Sequence, residues 1–116
     1  MESASLWVPG KPKAKDRPRR GPYGTFYTPK ATLEAEKALR EQWSIQGLPH
    51  FGDSPVAVHV VYYEHGYQLD IAELVVTNPS KLRGDIDNYL KTTLDGLKGV
   101  AFDDDGQVVK LKAMKT

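Results

Sequence analysis

The sequence predicts an α+β fold: one compact domain over residues 1–116, with a mixed β-sheet packed against two main helices. Three observations carry that prediction. Two stretches repeat apolar residues at helical spacing, separate runs are rich in β-branched and aromatic residues, and Gly- and Pro-containing breaks divide them. Ser5-Leu6-Trp7-Val8 reads as a strand stopped by Pro9-Gly10. From Lys11 to Lys30, prolines at 12, 18, 22 and 29 and glycines at 21 and 24 predict a loop, with at most a short strand near Thr25 to Tyr27. Thr28-Pro29 or Thr32 then opens a helix in which Ala35, Leu39 and Trp43 recur at i+4, ending before Gly47 and Pro49.

Val56 to Tyr63 is apolar at both alternate sets of positions, as a central strand covered on both faces would be, with His59 a satisfied core residue. Tyr67 to Leu82 is the least legible stretch. Leu69 to Val76 reads either as the second strand of a hairpin or as a short helix, stopped by Asn78-Pro79. Ile86, Leu90, Leu94 and Leu97 form one apolar stripe of a second helix that ends at Gly99. Val108 to Met114 is a candidate last strand, after a loop containing Asp103-Asp104-Asp105-Gly106.

Composition removes several function classes. At 116 residues and 12.9 kDa, with 40% hydrophobic and 27% charged residues, the chain has the size and balance of one globular domain. No apolar run is long enough to span a bilayer and no signal-peptide pattern opens the chain, so the sequence predicts an intracellular, cytoplasmic protein without a membrane partner. The absence of cysteine excludes disulfides, thiolate zinc sites and cysteine nucleophiles. Any metal must be held by carboxylates or by His50, His59 and His65, and oxygen ligands are favoured.

Net charge is only +1, yet it is unevenly spread. Residues 1–40 carry nine Lys/Arg against four Asp/Glu, whereas residues 85–105 carry six Asp against Lys91 and Lys98. A basic segment attracts polyanions, and a carboxylate cluster inside a nucleic-acid binder calls for divalent cations. In the 11–30 loop, Lys11, Lys13, Lys15, Arg17, Arg19, Arg20 and Lys30 are candidate phosphate contacts, with Tyr23, Phe26 and Tyr27 available for packing or stacking. The competing reading is a solvated loop.

Asp85 and Asp87 flank Ile86 at the helix entry, a spacing that lets two carboxylates face one cation. Asp87, Lys91 and Asp95 then follow at i+4 intervals opposite the apolar stripe, which sets an ammonium beside the carboxylates. The plainer reading makes one aspartate a helix N-cap and Asp87–Lys91 a surface pair, and makes Asp103 to Asp105 a solvated turn. Only one helix and a short link separate the two acidic groups, so a returning strand would bring them together. Mg²⁺, with Mn²⁺ as its substitute, suits such a site, since it takes a few carboxylates and completes its shell with water and phosphate oxygens. Two such ions would activate water and stabilise the leaving oxygen in phosphodiester cleavage.

These residues resemble a known pattern. Asp85-Ile86-Asp87-Asn88, Lys91, Asp95, Leu97, Gly99 and Asp104-Asp105-Gly106-Gln107-Val108 look like the 85–108 signature of RusA-type Holliday junction resolvases. Pro9-Gly10-Lys11-Pro12, Arg17 to Arg20 and Tyr27-Thr28-Pro29-Lys30 are similar to that family's opening. The resemblance implies a homodimeric, Mg²⁺-dependent endonuclease that nicks four-way DNA junctions symmetrically, leaving a 5′-phosphate and a 3′-hydroxyl. By position it implies Asp85, Asp87 and Asp105 as metal-binding catalytic residues, with Asp104 a further metal position in the same acidic motif, and Lys91 as the catalytic lysine. No organic cofactor is implied. Gly84 departs from the pattern, which has a basic residue there, and Leu69 to Leu74 mimics the motif without its second Asp or its Asn-x-x-Lys continuation.

Two rival readings stand beside this one. A non-catalytic branched-DNA-binding module would use the basic loop and keep the aspartates as caps and turns. A less specific metal-dependent nuclease would cut linear or flap DNA as readily as junctions.

Overall fold

Alternation along the first strand decides where the core lies. A computed structural model describes residues 2–15, 19–75 and 80–116. In β1 (Ser3–Pro9), Ala4, Leu6 and Val8 are buried while Ser3, Ser5, Trp7 and Pro9 face out, the period of two that a half-covered strand requires. The basic loop folds into two short paired strands, β2 (Arg19–Arg20) and β3 (Phe26–Tyr27), and α1 (Lys30–Ile45) follows with Pro29 at its N-cap. Gly47 takes the left-handed conformation just past the end of α1 (φ 63°), as a helix C-terminus favours. The chain then makes a hairpin of β4 (Val56–Tyr63) and β5 (Gly66–Glu73).

The main sheet has the order β1-β5-β4. β5 is antiparallel to both neighbours, with Leu69 opposite Leu6 on one side and opposite Val60 on the other. β1 and β4 therefore run the same way with β5 between them, and the connection through α1 makes a split β-α-β unit. Ala35 and Leu39 of α1 border a cavity of about 380 Å³ together with Val8, Val60 and Leu69, which places the helix over the Leu6 face. Across the opposite face, Ser5 Oγ donates to Asp70 Oδ1, and His59 Nδ1 lies 4.0 Å from Asp70 Oδ2. Trp7, Tyr63 and His65 form an aromatic cluster there, with ring centroids 5.5–6.0 Å apart.

The hairpin alternative for Leu69 to Val76 is the one the chain adopts as far as Glu73. The Asn78-Pro79 stop lies outside the described residues. β4 is not the central strand its composition predicts: β5 takes that place, and β4 is an edge with seven of its eight residues exposed. The reason is lateral pairing. Asp70 of β5 is partnered by Ser5 and His59 from both sides, an arrangement only a middle strand allows. His59 accordingly is a surface residue, its side chain 75% exposed, and not a core histidine. The described strand pairs are all antiparallel, so the mixed character expected of the sheet is absent from them.

The chain divides into two compact units, residues 1–75 and 76–116. In the second, α2 (Ile86–Leu97) spans the predicted stripe, and Gly99, just past its C-cap Lys98, has the left-handed geometry (φ 86°) expected after a helix. A single turn of 3-10 helix covers Asp105–Gln107. The strand expected over Val108 to Met114 does not form. This stretch has no ladder partner among the described residues, and a strand without one is not stable in water.

Candidate metal and nucleic-acid site

α2 positions the first acidic pair. Asp85 occupies its N-cap position with extended backbone (φ −70°, ψ 144°), and its carbonyl accepts from the amides of Asn88 and Tyr89. The Asp85 carboxylate makes no capping hydrogen bond, so the plain capping role is not the one its side chain performs. Asp87 lies in the first turn, where the helix dipole favours negative charge. Lys91 is one turn further on, and no ion pair joins it to Asp87 among the described residues.

The entry to α2 is held by its own neighbours. Gly84 N donates to Tyr89 Oη at 3.1 Å, and Lys115 Nζ donates to Gly84 O at 3.0 Å. A Cβ at position 84 would lie 2.9–3.0 Å from the Tyr89 ring, so a larger residue before Asp85 would push that ring aside. A positive charge nevertheless reaches that position, from Lys115. The sequence could have offered Tyr89 through its i+5 spacing from Gly84, but nothing in it points to Lys115.

The second acidic group is built as a turn. Gln107 Oε1 accepts from the amides of Asp103 and Asp104 (2.7 and 2.9 Å), while Asp104 Oδ2 accepts from Gly106 N (3.1 Å). This reciprocal arrangement is a capping box, legible in the Asp-x-x-Gln spacing. Asp104 also approaches Lys98 Nζ at 3.9 Å. Gln107 and Asp104 thus shape the loop, and the carboxylate of Asp105 has no hydrogen bond or ion pair among the described residues.

The two groups are not brought together. Among the described residues no three His, Asp or Glu side chains lie close enough to hold one metal ion. Lys98 and the turn of Gly99 N to Phe102 O (2.7 Å) tie the acidic loop to the C-terminal end of α2, whereas Asp85 and Asp87 stand at its N-terminal end. A helix of this length rises about 18 Å. The chain does return to the start of α2, as the spacing suggests, but the residue that arrives is Lys115. In donor chemistry the residues fit a hard divalent cation: Asp85, Asp87 and Asp105 are exposed carboxylates whose oxygens no described group engages.

Lys11, Lys13, Lys15, Arg20 and Lys30 are exposed on the first unit. Arg17 lies outside the described residues, as does the side chain of Arg19. Lys15 pairs with Glu36 at 3.5 Å and Lys30 with Glu34 at 3.7 Å, exposed contacts weak enough for a phosphate to displace. Lys11, Lys13 and Lys15 also border the cavity beside α1. No helix among the described residues is long and apolar enough to cross a membrane.

No curated protein and no solved structure matches the chain. The family model described as endodeoxyribonuclease RusA matches residues 9–116, a span that includes the basic loop, the Asp85–Lys91 helix entry and the Asp104–Gln107 turn. The chain therefore belongs to the RusA family of Holliday junction resolving endodeoxyribonucleases.

Proposed function

We propose that this nuclease resolves four-way DNA junctions by paired, symmetric nicks, as a homodimer that requires Mg²⁺, with Mn²⁺ as an effective substitute. On this reading residues 1–116 act as one nuclease domain in the cytoplasm, at the nucleoid, where recombination and repair generate junctions. The observation that carries it is the helix entry itself. Asp85, Asp87 and Lys91 lie within two turns of α2 with side chains that no cap and no ion pair occupies among the described residues.

Asp85 and Asp87 would hold the metal at the start of α2, and Asp105, which stands at the other end of that helix, would join them only once its loop, shaped by Asp104, moves toward them. When bound, the ion supplies positive charge at the scissile phosphate and makes water a better nucleophile at neutral pH. Water adds to phosphorus, the bond to the 3′ oxygen breaks, and the water's proton passes to that oxygen, leaving a 5′-phosphate and a 3′-hydroxyl. Lys91 offsets the charge that grows on the phosphoryl oxygens in the transition state. Lys11, Lys13, Lys15, Arg17, Arg19, Arg20 and Lys30 contact backbone phosphates, so affinity falls steeply with salt. Two sites related by a two-fold axis match the symmetry of an open junction, which one site cannot.

The test is a nicking assay on a synthetic four-way junction and a matched linear duplex, with Mg²⁺ or EDTA, for the native protein and Asp87→Asn. Junction-selective cuts that need Mg²⁺ and vanish in the variant, with junction binding retained, are expected. Near-normal cutting by Asp87→Asn would remove this site. Equal cutting of the linear duplex would leave a less specific nuclease, and tight binding without cutting a DNA-binding module.

A further inference from the structure

We infer that Lys115 is a positioning residue of the metal site: its ammonium holds the peptide bond that leads into Asp85, and so aims the Asp85 carboxylate. The role rests on Asp85 being a metal ligand, as proposed above, and every contact it uses lies within the second unit.

A carboxylate at a helix N-cap is aimed by its backbone. Each peptide group is planar, so the direction of the Asp85 Cα–Cβ bond is set by two planes, one before its Cα and one after it. The plane after it is fixed by the helix, because Asp85 O accepts from the amides of Asn88 (3.1 Å) and Tyr89 (3.3 Å). The plane before it contains Gly84 O, which accepts from Lys115 Nζ at 3.0 Å. On the other side of Gly84, its amide donates to Tyr89 Oη at 3.1 Å. The need for these two holds comes from the chain that precedes α2. Residues 80–83 belong to no helix or strand, and glycine has the widest choice of φ and ψ of any residue. With both peptide planes held, only the side-chain torsions of Asp85 are left for the metal to settle.

The ammonium takes the carbonyl and leaves the carboxylates open. No ion pair joins Lys115 to Asp85 or Asp87 among the described residues, so the ligand oxygens need not release a cation before a metal arrives. A side chain that oriented Asp85 by pairing with its carboxylate would compete with the metal, whereas one that acts through the preceding carbonyl does not. Through space, a positive charge near the carboxylates opposes a bound cation. Orientation favours it, and partners that orient a metal ligand are commonly worth ten- to a hundredfold in affinity. The two effects have opposite signs, so the sign of a measured change tells which one Lys115 exerts.

Two readouts on the DNA-free protein test the role: Mn²⁺ binding followed by electron paramagnetic resonance, and the NMR order parameter of the Asp85 amide. Lys115→Met should weaken Mn²⁺ about tenfold and lower the order at Asp85, with the melting temperature unchanged. Lys115→Arg should restore both, because a guanidinium donates to the same carbonyl. Tyr89→Phe, which removes the acceptor of the Gly84 amide and keeps the ring, should weaken Mn²⁺ in the same direction. Lys112→Met is the control for lost charge, since Lys112 makes no hydrogen bond or ion pair among the described residues. An Mn²⁺ affinity unchanged or tightened in Lys115→Met overturns the role, tightening being what removal of charge alone produces. An equal loss in Lys112→Met overturns it too. A native protein that binds no Mn²⁺, with the Asp85 amide loosened in Lys115→Met, overturns the metal reading instead and leaves the holding contact standing.

Discussion

Two glycine-to-alanine replacements should move stability in opposite directions, for reasons visible at each site. A Cβ on Gly66 would lie 2.4 Å from Trp7 Cζ2, 2.8 Å from Trp7 Cη2 and 2.7 Å from the carbonyl oxygen of Val8. The indole is 39% exposed and can swing away, at the loss of its contacts with Tyr63 and His65. The Val8 carbonyl cannot, because Val8 is paired with Tyr67 in the β1–β5 ladder. Forcing an extra carbon into such a site costs about 2–3 kcal/mol. At about 2.1 cal/mol/K of unfolding entropy per residue, a chain of this length loses about 4 °C of Tm per kcal/mol, so the melting point should drop by roughly 8–12 °C. Gly96 is the control: it lies inside α2 with nothing within 4 Å of its would-be Cβ, so Gly96→Ala should gain about 0.5–1 kcal/mol from helix propensity. Circular dichroism melts measure both, and tryptophan fluorescence should shift to the red in Gly66→Ala alone as Trp7 is displaced. A Gly66→Ala protein within about 0.5 kcal/mol of the native one would refute the β1–β5 register around Trp7. A destabilised Gly96→Ala would refute the open face of α2.

Further outcomes test the site and its setting. Lys91→Ala should lower the single-turnover nicking rate at least tenfold, about 1.4 kcal/mol of transition-state stabilisation, while junction affinity changes little; an unchanged rate would remove Lys91 from the chemistry. Gln107→Ala removes the acceptor of two backbone amides, so the Asp103–Asp105 turn should loosen, seen as faster amide exchange at Asp103 and Asp104 with α2 unaffected. The hydrogen bond from Ser54, then that from the Glu2 amide, hold the Glu73 carboxyl below the usual glutamate value of 4.5. A folded pKa below the unfolded one adds stability above the unfolded value and loses it as pH falls through the folded one. The acid limb of a pH–stability profile should therefore flatten below pH 4.5 in Glu73→Gln, and an unchanged limb would show that the link does not operate.

How much was legible in the sequence follows from the range of the forces involved. Local signals placed α1, α2 and β1 within a few residues, because helical periodicity, Pro29, Gly47 and Gly99 act over one or two turns. The acidic motif was equally local: Asp85, Asp87 and Lys91 lie at the cap and in the first turns of one helix, inside the 9–116 span that the family model matches. Sequence by itself thus determined the α+β class and the family, and named the candidate site residues.

Only the tertiary structure decided which strand sits in the middle. Val56–Tyr63 is more apolar than Gly66–Glu73, yet β5 is central, because Asp70 finds partners on both sides in Ser5 and His59 and Leu69 packs between Leu6 and Val60. Composition records what a strand can bury and says nothing about who lies beside it. The same limit hid the destination of the C-terminal stretch. An alternating run such as Val108 to Met114 becomes a strand only with a partner, and the contact that brings it back to the start of α2 is a single ammonium on a backbone carbonyl, Lys115 to Gly84, between residues 31 positions apart. Residue spacing shows which groups share an element, whereas long-range contacts decide which elements meet.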